Sequence, residues 1–207
     1  MASRSLDELH PIMKGLVLKW VDASKKARIP FLIYCTHRDL EEQAELYSHG
    51  RSIAEVEGAR VWLKDAGLVE CAAAFHRVTG KPERAALTNA KPGFSFHHGF
   101  AVDGRRGGLA VDFVPTIGGK PQWADDQLYG LLGALAEKEG LSWSGRWRIG
   151  GTKLKGEKCH VQWDKQGTLS MPSLAISQFK EKVAWHVIRG RFPILKMMMT
   201  ILTTKGI

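Results

Sequence analysis

Three short runs, PFLIYC (30–35), LAVDFVP (109–115) and CHVQW (159–163), are rich in β-branched, aromatic and other apolar residues. Their length and composition read as buried or half-buried strands. The stretches between them have a different period. Residues 6–26 place Leu9, Met13, Leu16, Val17, Trp20 and Val21 on one face of a helix. DLEEQAELYS (39–48) opens with Asp39 as an N-cap, continues in strong helix formers and stops at Gly50. Residues 53–79 read as helical in parts, with breaks at Gly58 and Gly67. DDQLYGLLGALAEKE (125–139) is an amphipathic helix closed by Gly140. Short strands interspersed irregularly with such helices predict an α+β fold: a small, mainly antiparallel sheet with helices packed on one side.

The connections are read from their turn residues. LTNAKPGFSFHHG (87–99) is a turn-rich loop feeding a strand, Pro115 is expected to end the second strand, and IGGKPQW (117–123) is a hairpin-like turn. LSWSGRWRIGG (141–151) is a short strand and loop. From 173 onward the composition shifts: Glu181 is the lone acid, and the chain ends in PILKMMMTILTTKGI. This predicts a main domain over 1–171 and a basic, partly apolar helical tail over 172–207.

Composition narrows the function classes. At 207 residues, 44% hydrophobic and 25% charged, the chain can bury one proper core. Its three cysteines, Cys35, Cys71 and Cys159, are odd in number and form no CxxC pair, which argues against a disulfide framework or a cysteine zinc finger. Cys35 and Cys71 lie in apolar surroundings and read as core residues. The start, MASRSLDELHPIMKGLVLKW, lacks the marks of a secretory signal, and a protein made in the cytosol is expected. The net charge of +9 favours an anionic partner such as a bacterial wall or an anionic membrane surface. Nucleic acid is not expected, because no RNP, zinc-finger or homeodomain pattern is present.

Chemistry concentrates around HHGFAVDGRRGGLAVDF (97–113), in which two histidines are followed by two near-identical phrases, GFAVD and GLAVD. His97, an aspartate and His160 together would make a three-ligand zinc site with a fourth position open to water. Glu157, three residues before His160 in EKCH, is placed to serve as a general base.

The order S-x-H, G-x-A-x-D-F, a helix, G-L-x-W-x-G-x-W and E-x-x-H resembles the zinc peptidase superfamily of bacterial D-alanyl-D-alanine carboxypeptidases and phage L-alanyl-D-glutamate endolysins. The matching pieces are CTHRDLEEQAELYSHG (35–50), LTNAKPGFSFH (87–97), GLAVDFVP (108–115), GLSWSGRW (140–147) and EKCHVQ (157–162). The resemblance implies zinc held by His97, one aspartate and His160. It further implies Glu157 as the base that passes a proton to the departing amine, and Arg38 as the arginine that holds a substrate carboxylate or the oxyanion. Ser95 is expected near the metal or the substrate, with a turn-forming role as the alternative. Gln43 and Tyr47 are expected to hold their helix in place.

The aspartate is open to two readings. The family pattern places Gly, Ala and Asp three, five and seven residues after the His, which from His97 falls on Phe100, Val102 and Gly104. Counted back from Asp112 the Gly and Ala fit but the His falls on Arg105; counted back from Asp103 it falls on Phe96. Asp112, followed by Phe-Val-Pro, has the better strand context, whereas Asp103 is followed by the flexible Gly-Arg-Arg-Gly-Gly. Asp112 is therefore the expected ligand, with GFAVDGRRG as an inserted loop and with His98 and Asp103 as substrate-contacting candidates.

The function implied is a monomeric zinc-dependent peptidase of the peptidoglycan stem. A phage endolysin cutting the L-alanyl-D-glutamate bond is expected, resident in the host cytoplasm until lysis and then acting on the wall. A D-alanyl-D-alanine carboxypeptidase is the near alternative, and a non-catalytic basic binding protein for wall or nucleic acid is the alternative of another class. The tail is read either as a helix completing the core or as a segment contacting anionic membrane or lipopolysaccharide.

Overall fold

The computed structural model describes residues 3–98, 107–149, 152–153 and 158–163. Asp103, Glu157, the expected boundary near Met171 and the tail lie outside the described residues. The helices are α1 (Pro11–Ala27), α2 (Leu40–Ser48), α3 (Ile53–Asp65), α4 (Val69–Ala73) and α5 (Asp126–Lys138). The strands are β1 (Phe31–Cys35), β2 (Ala110–Ile117), β3 (Lys120–Pro121), β4 (Ser142–Trp143), β5 (Arg148–Ile149), β6 (Thr152–Lys153) and β7 (His160–Gln162). The main sheet runs β1-β2-β7-β4, with β3 paired to β2, and all its pairings are antiparallel. β5 and β6 form a separate hairpin. The fold is α+β.

Local chemistry explains most boundaries and three departures from the sequence reading. The first helix starts at Pro11 rather than Leu6: proline lacks the N–H that an earlier start would need, and His10 caps the new start by accepting from Ile12 N–H at 3.3 Å. The preceding Leu6–Glu8 is a single 3-10 turn. Gly58 does not break α3, because a capping box between Ser52 and Glu55 and the buried Val56, Ala59 and Leu63 hold the helix through it. The break comes at Gly67, whose φ of 80° is left-handed.

Pro115 does not end its strand either. Phe113 N–H donates to Cys159 O on the β7 side, and Thr116 N–H donates to Pro30 O on the β1 side. Pro115 shares parity with Phe113 and faces the β3 side, where its carbonyl accepts from Gln122 N–H at 2.8 Å. Its ring removes one donor from that edge, and the strand runs on because the other edge stays bonded, with Val114 opposite Leu32 and Thr116 N–H on Pro30 O. The strand then turns through Gly118 and Gly119, both at positive φ, into β3.

Two apolar clusters stabilise the molecule. In the larger, Met13, Val17 and Trp20 of α1 meet Tyr129, Leu132 and Ala136 of α5 over Val111, Phe113 and Val161 of the sheet. Burying each large apolar side chain contributes about 1.5–3 kcal/mol. Trp20 stacks on Phe31 at 4.2 Å and meets Phe113 edge-on, while its indole N–H donates to Leu132 O at 2.9 Å. The smaller cluster joins α2, α3 and α4 through Tyr47, Leu63, Cys71 and Phe75. Among the described residues no helix is long and apolar enough to cross a membrane.

Candidate metal centre

Alternation along β2 decides which side chains meet. Val111 and Phe113 belong to the larger core, so Asp112 between them projects from the opposite face. The ladder sets Asp112 opposite His160 of β7 and, on the other side, opposite Cys35 of β1. Ala110 stands opposite Gln162. One sheet face thus carries Cys35, Asp112, His160 and Gln162, brought together from three strands.

His97 reaches this face from a 3-10 turn, Phe96–His98. The turn is tied down on both flanks: Leu109 N–H donates to Phe96 O at 2.7 Å, and Arg38 N–H donates to His97 O at 3.2 Å. Ser95 Oγ accepts from His97 N–H at 3.3 Å. Upstream, the Gln43 side-chain amide donates to Ala90 O at 2.8 Å and so anchors α2 to the loop before the turn.

Asp112 is the hub. Its Oδ1 lies 3.1 Å from His97 Nε2 and 2.9 Å from His160 Nδ1. Its Oδ2 accepts from a terminal nitrogen of Arg38. The other nitrogen of each ring faces a protein partner: His160 Nε2 is 3.0 Å from Gln162 Oε1, and His97 Nδ1 is 3.4 Å from Cys35 Sγ. The two imidazole rings meet edge to face with centroids 5.1 Å apart.

The electrostatics follow from burial and crowding. Burial opposes ionisation of Asp112, but His97 and His160 outweigh it and hold the carboxyl well below the usual range. Burial pushes His97 down to about 4 against the pull of Asp112, so that its imidazole is neutral. Burial acts downward on His160 too, but the hydrogen bond and charge of Asp112 reverse the effect and raise it. The Cys35 thiol is pushed up to about 12, by burial first and then by the Asp112 charge.

The centre opens into a cavity of about 610 Å³ whose walls include Tyr34, Arg38, Ser95, Trp147 and the loop 86–90. Of the residues singled out from the sequence, Arg38, Ser95, His97, Asp112 and His160 line it together. His98 does not share that lining: its Nδ1 faces Arg38 O at 3.1 Å and its ring lies 6.0 Å from His37. Arg38 engages Asp112 rather than Glu41 or Glu42, and its buried Nε has no hydrogen-bond partner. The sequence reading missed two participants. Cys35 is a core residue by burial, yet its sulfur touches a site histidine. Gln162, two residues after His160 on the same strand face, had a readable signal in that spacing.

The donor set fits a divalent metal of borderline softness. His97 Nε2 is fully enclosed, faces a carboxylate oxygen at 3.1 Å and makes no hydrogen bond, as a ligand atom awaiting a cation would. Two imidazoles and one carboxylate are the donors zinc takes in hydrolases. His160 could complete the set through Nδ1; Cys35 could do so instead, since its sulfur and donor atoms of His97 and Asp112 lie within 4.8 Å of one another.

No protein-family model and no curated protein matches the chain. Among solved structures it is similar to the L-Ala D-Glu endopeptidase ChiX of Serratia marcescens, at 15% identity and a TM-score of 0.37, covering 79% of this chain and 89% of that one. It is similar to a variant of the vancomycin resistance D,D-pentapeptidase VanY from a VanB-type resistance cassette in complex with Zn(II), at 17% identity and a TM-score of 0.41, covering 83% of this chain and 78% of that one. The LdcB LD-carboxypeptidase, from work on peptidoglycan recognition, has 13% identity and a TM-score of 0.39, covering 84% of this chain and 64% of that one.

Proposed function

We propose that this chain is a zinc-dependent peptidase of the peptidoglycan stem, with His97, Asp112 and His160 as the metal ligands. The observation that carries the proposal is the convergence of His97 Nε2 and His160 Nδ1 on Asp112 Oδ1, at 3.1 and 2.9 Å, with the His97 nitrogen enclosed and without a hydrogen bond. The ordered motifs from CTHRDLEEQ to EKCHVQ supply the substrate class. Within that class the reading is a phage endolysin that cuts the L-alanyl-D-glutamate bond from the host cytoplasm outward, acting as a monomer.

Zinc, when bound, supplies Lewis-acid activation of water and of the scissile carbonyl. The chain's own residues do the rest. Arg38 holds Asp112 Oδ2 and so fixes the carboxylate orientation, and as a residue of the cavity wall it is assigned to a substrate carboxylate or an oxyanion. Gln162 fixes the ring of His160. Glu157, just before β7, is assigned as the base that takes the proton of the attacking water and delivers it to the leaving amine. The tail after Met171 is assigned to anionic membrane or lipopolysaccharide.

The test is hydrolysis of purified muropeptides by the full chain, with metal content measured in parallel. One zinc per chain is expected, with hydrolysis lost to a chelator and restored by zinc. Asp112→Ala should lose both metal and activity, Asp103→Ala should keep the metal, and Glu157→Gln should keep the metal while kcat falls about 10²–10⁴-fold. A metal-free protein that leaves muropeptides intact would sink the proposal. The fragment released separates L-alanyl-D-glutamate from D-alanyl-D-alanine cleavage, and a chain truncated after Met171 that lyses cells from outside as well as the full chain would remove the tail assignment.

A further inference from the structure

We propose that Cys35 is a positioning residue for the metal centre: its sulfur accepts the Nδ1 proton of His97 and thereby leaves the Nε2 lone pair facing Asp112. This rests on the zinc-site reading above and adds to it a role for a residue outside the ligand set.

A β-bulge puts the cysteine there. The β1–β2 ladder pairs Ile33 with Phe113, and then, after a shift of register, Cys35 with Asp112. Continued without the shift, the ladder would have set Tyr34 opposite Asp112 and turned Cys35 to the other face. The extra residue is Tyr34, which lines the cavity, and the irregularity re-aims both side chains at once. The thiol sulfur then sits 3.4 Å from His97 Nδ1, with both residues buried.

A neutral imidazole has one donor and one acceptor nitrogen, so fixing one fixes the other. If Nε2 carried the proton, the nearby Asp112 Oδ1 at 3.1 Å would be its natural acceptor, yet Nε2 has no hydrogen-bond partner. With the proton on Nδ1, the sulfur accepts it, and two electron-rich atoms, Nε2 and Oδ1, face each other. That pairing is unfavourable by itself and favourable around a cation. The two ring nitrogens diverge, so a sulfur that holds Nδ1 orients the ring from behind its Nε2 donor. The same sulfur lies within 4.8 Å of donor atoms of His97 and Asp112, and the cobalt spectrum separates the two roles.

The experiment uses the full chain as wild type, Cys35→Ala and Cys35→Ser, reading zinc affinity by competition with a chromophoric chelator and the absorption of the cobalt-substituted protein. The cobalt spectrum of the wild type should lack a thiolate-to-cobalt charge-transfer band. Cys35→Ala should weaken zinc binding about 10–100-fold, the scale of losing a partner behind a metal ligand. Cys35→Ser keeps an acceptor beside Nδ1 and should lie nearer to wild type, which also guards against an alanine variant that fails to fold. A charge-transfer band that vanishes in Cys35→Ser would make the sulfur a ligand and overturn the proposal, as would unchanged affinity in Cys35→Ala. A wild type that binds no zinc would remove the metal site itself, whereas a wild type that binds zinc indifferent to residue 35 removes this inference alone.

Discussion

Two glycines three residues apart on α5, Gly130 and Gly133, should respond in opposite directions to the same change. A Cβ at Gly133 would lie 2.1, 2.4 and 2.5 Å from Cδ2, Cε3 and Cε2 of Trp143, whereas a Cβ at Gly130 meets nothing within 4 Å. The indole cannot retreat easily. On its other part Gly145 approaches so closely that a Cβ there would be 2.1 Å from Cζ2, and the indole N–H donates to Lys158 O at 2.8 Å. Overpacking of this kind costs about 1–3 kcal/mol, and the clamp argues for the upper part of the range. Removing a helix-interior glycine returns about 0.5–1 kcal/mol in both variants. Gly133→Ala should therefore lose about 2 kcal/mol and Gly130→Ala gain about 0.5–1. For a chain of this size each kcal/mol moves Tm by about 2–4 °C, so calorimetry should show about 4–8 °C down for the first and about 1–4 °C up for the second. Trp143 also pairs with Val161, next to His160, so zinc affinity should fall in Gly133→Ala and not in Gly130→Ala. If both variants shift Tm in the same direction, the packing argument fails.

Other expectations follow from single contacts. Asp112→Asn removes the anionic partner of the buried Arg38 guanidinium and should cost the metal-free protein about 3–5 kcal/mol in urea unfolding, besides its effect on zinc. A loss under 1 kcal/mol would mean that the pair is not buried as described. Trp20→Phe deletes the indole donation to Leu132 O and should cost about 1–3 kcal/mol with zinc affinity unchanged, because the contact lies on the core side of the sheet. Gln43→Met removes the tie to Ala90 O while keeping the chain length; faster amide exchange at Ala90 with retained zinc is expected, and unchanged exchange would show that the loop is held elsewhere.

The strands were readable because runs of five to seven mostly apolar residues between turn signals leave few alternatives, and α5 because Asp125, its period and Gly140 all agree. The misreadings at Gly58 and Pro115 share one cause. Both residues are costly only where their missing group is needed. Gly58 lies where an added Cβ would meet open space, and a glycine in a helix that buries Val56, Ala59 and Leu63 costs about 1 kcal/mol without ending it. Pro115 takes one donor from the short β3 edge, while its carbonyl still accepts from Gln122 N–H and the β1 edge stays bonded, so the strand continues.

The choice between Asp103 and Asp112 shows where sequence spacing stops being informative. Counting from His97 measures only the chain between two positions, whereas strand pairing decides which side chains meet. Asp112 stands opposite His160 in the ladder, and both lie on the face away from Val111 and Phe113. A slip of one residue would bury the carboxylate in the core and expose two large apolar side chains, so the hydrophobic pattern of LAVDFVP itself selects the register. His97 then needs only a tied turn beside that face, and the length of chain between it and Asp112 is free to vary. Cys35 had no such signal. Its place depends on a one-residue irregularity between β1 and β2, and an apolar run such as PFLIYC reads the same with the bulge or without it.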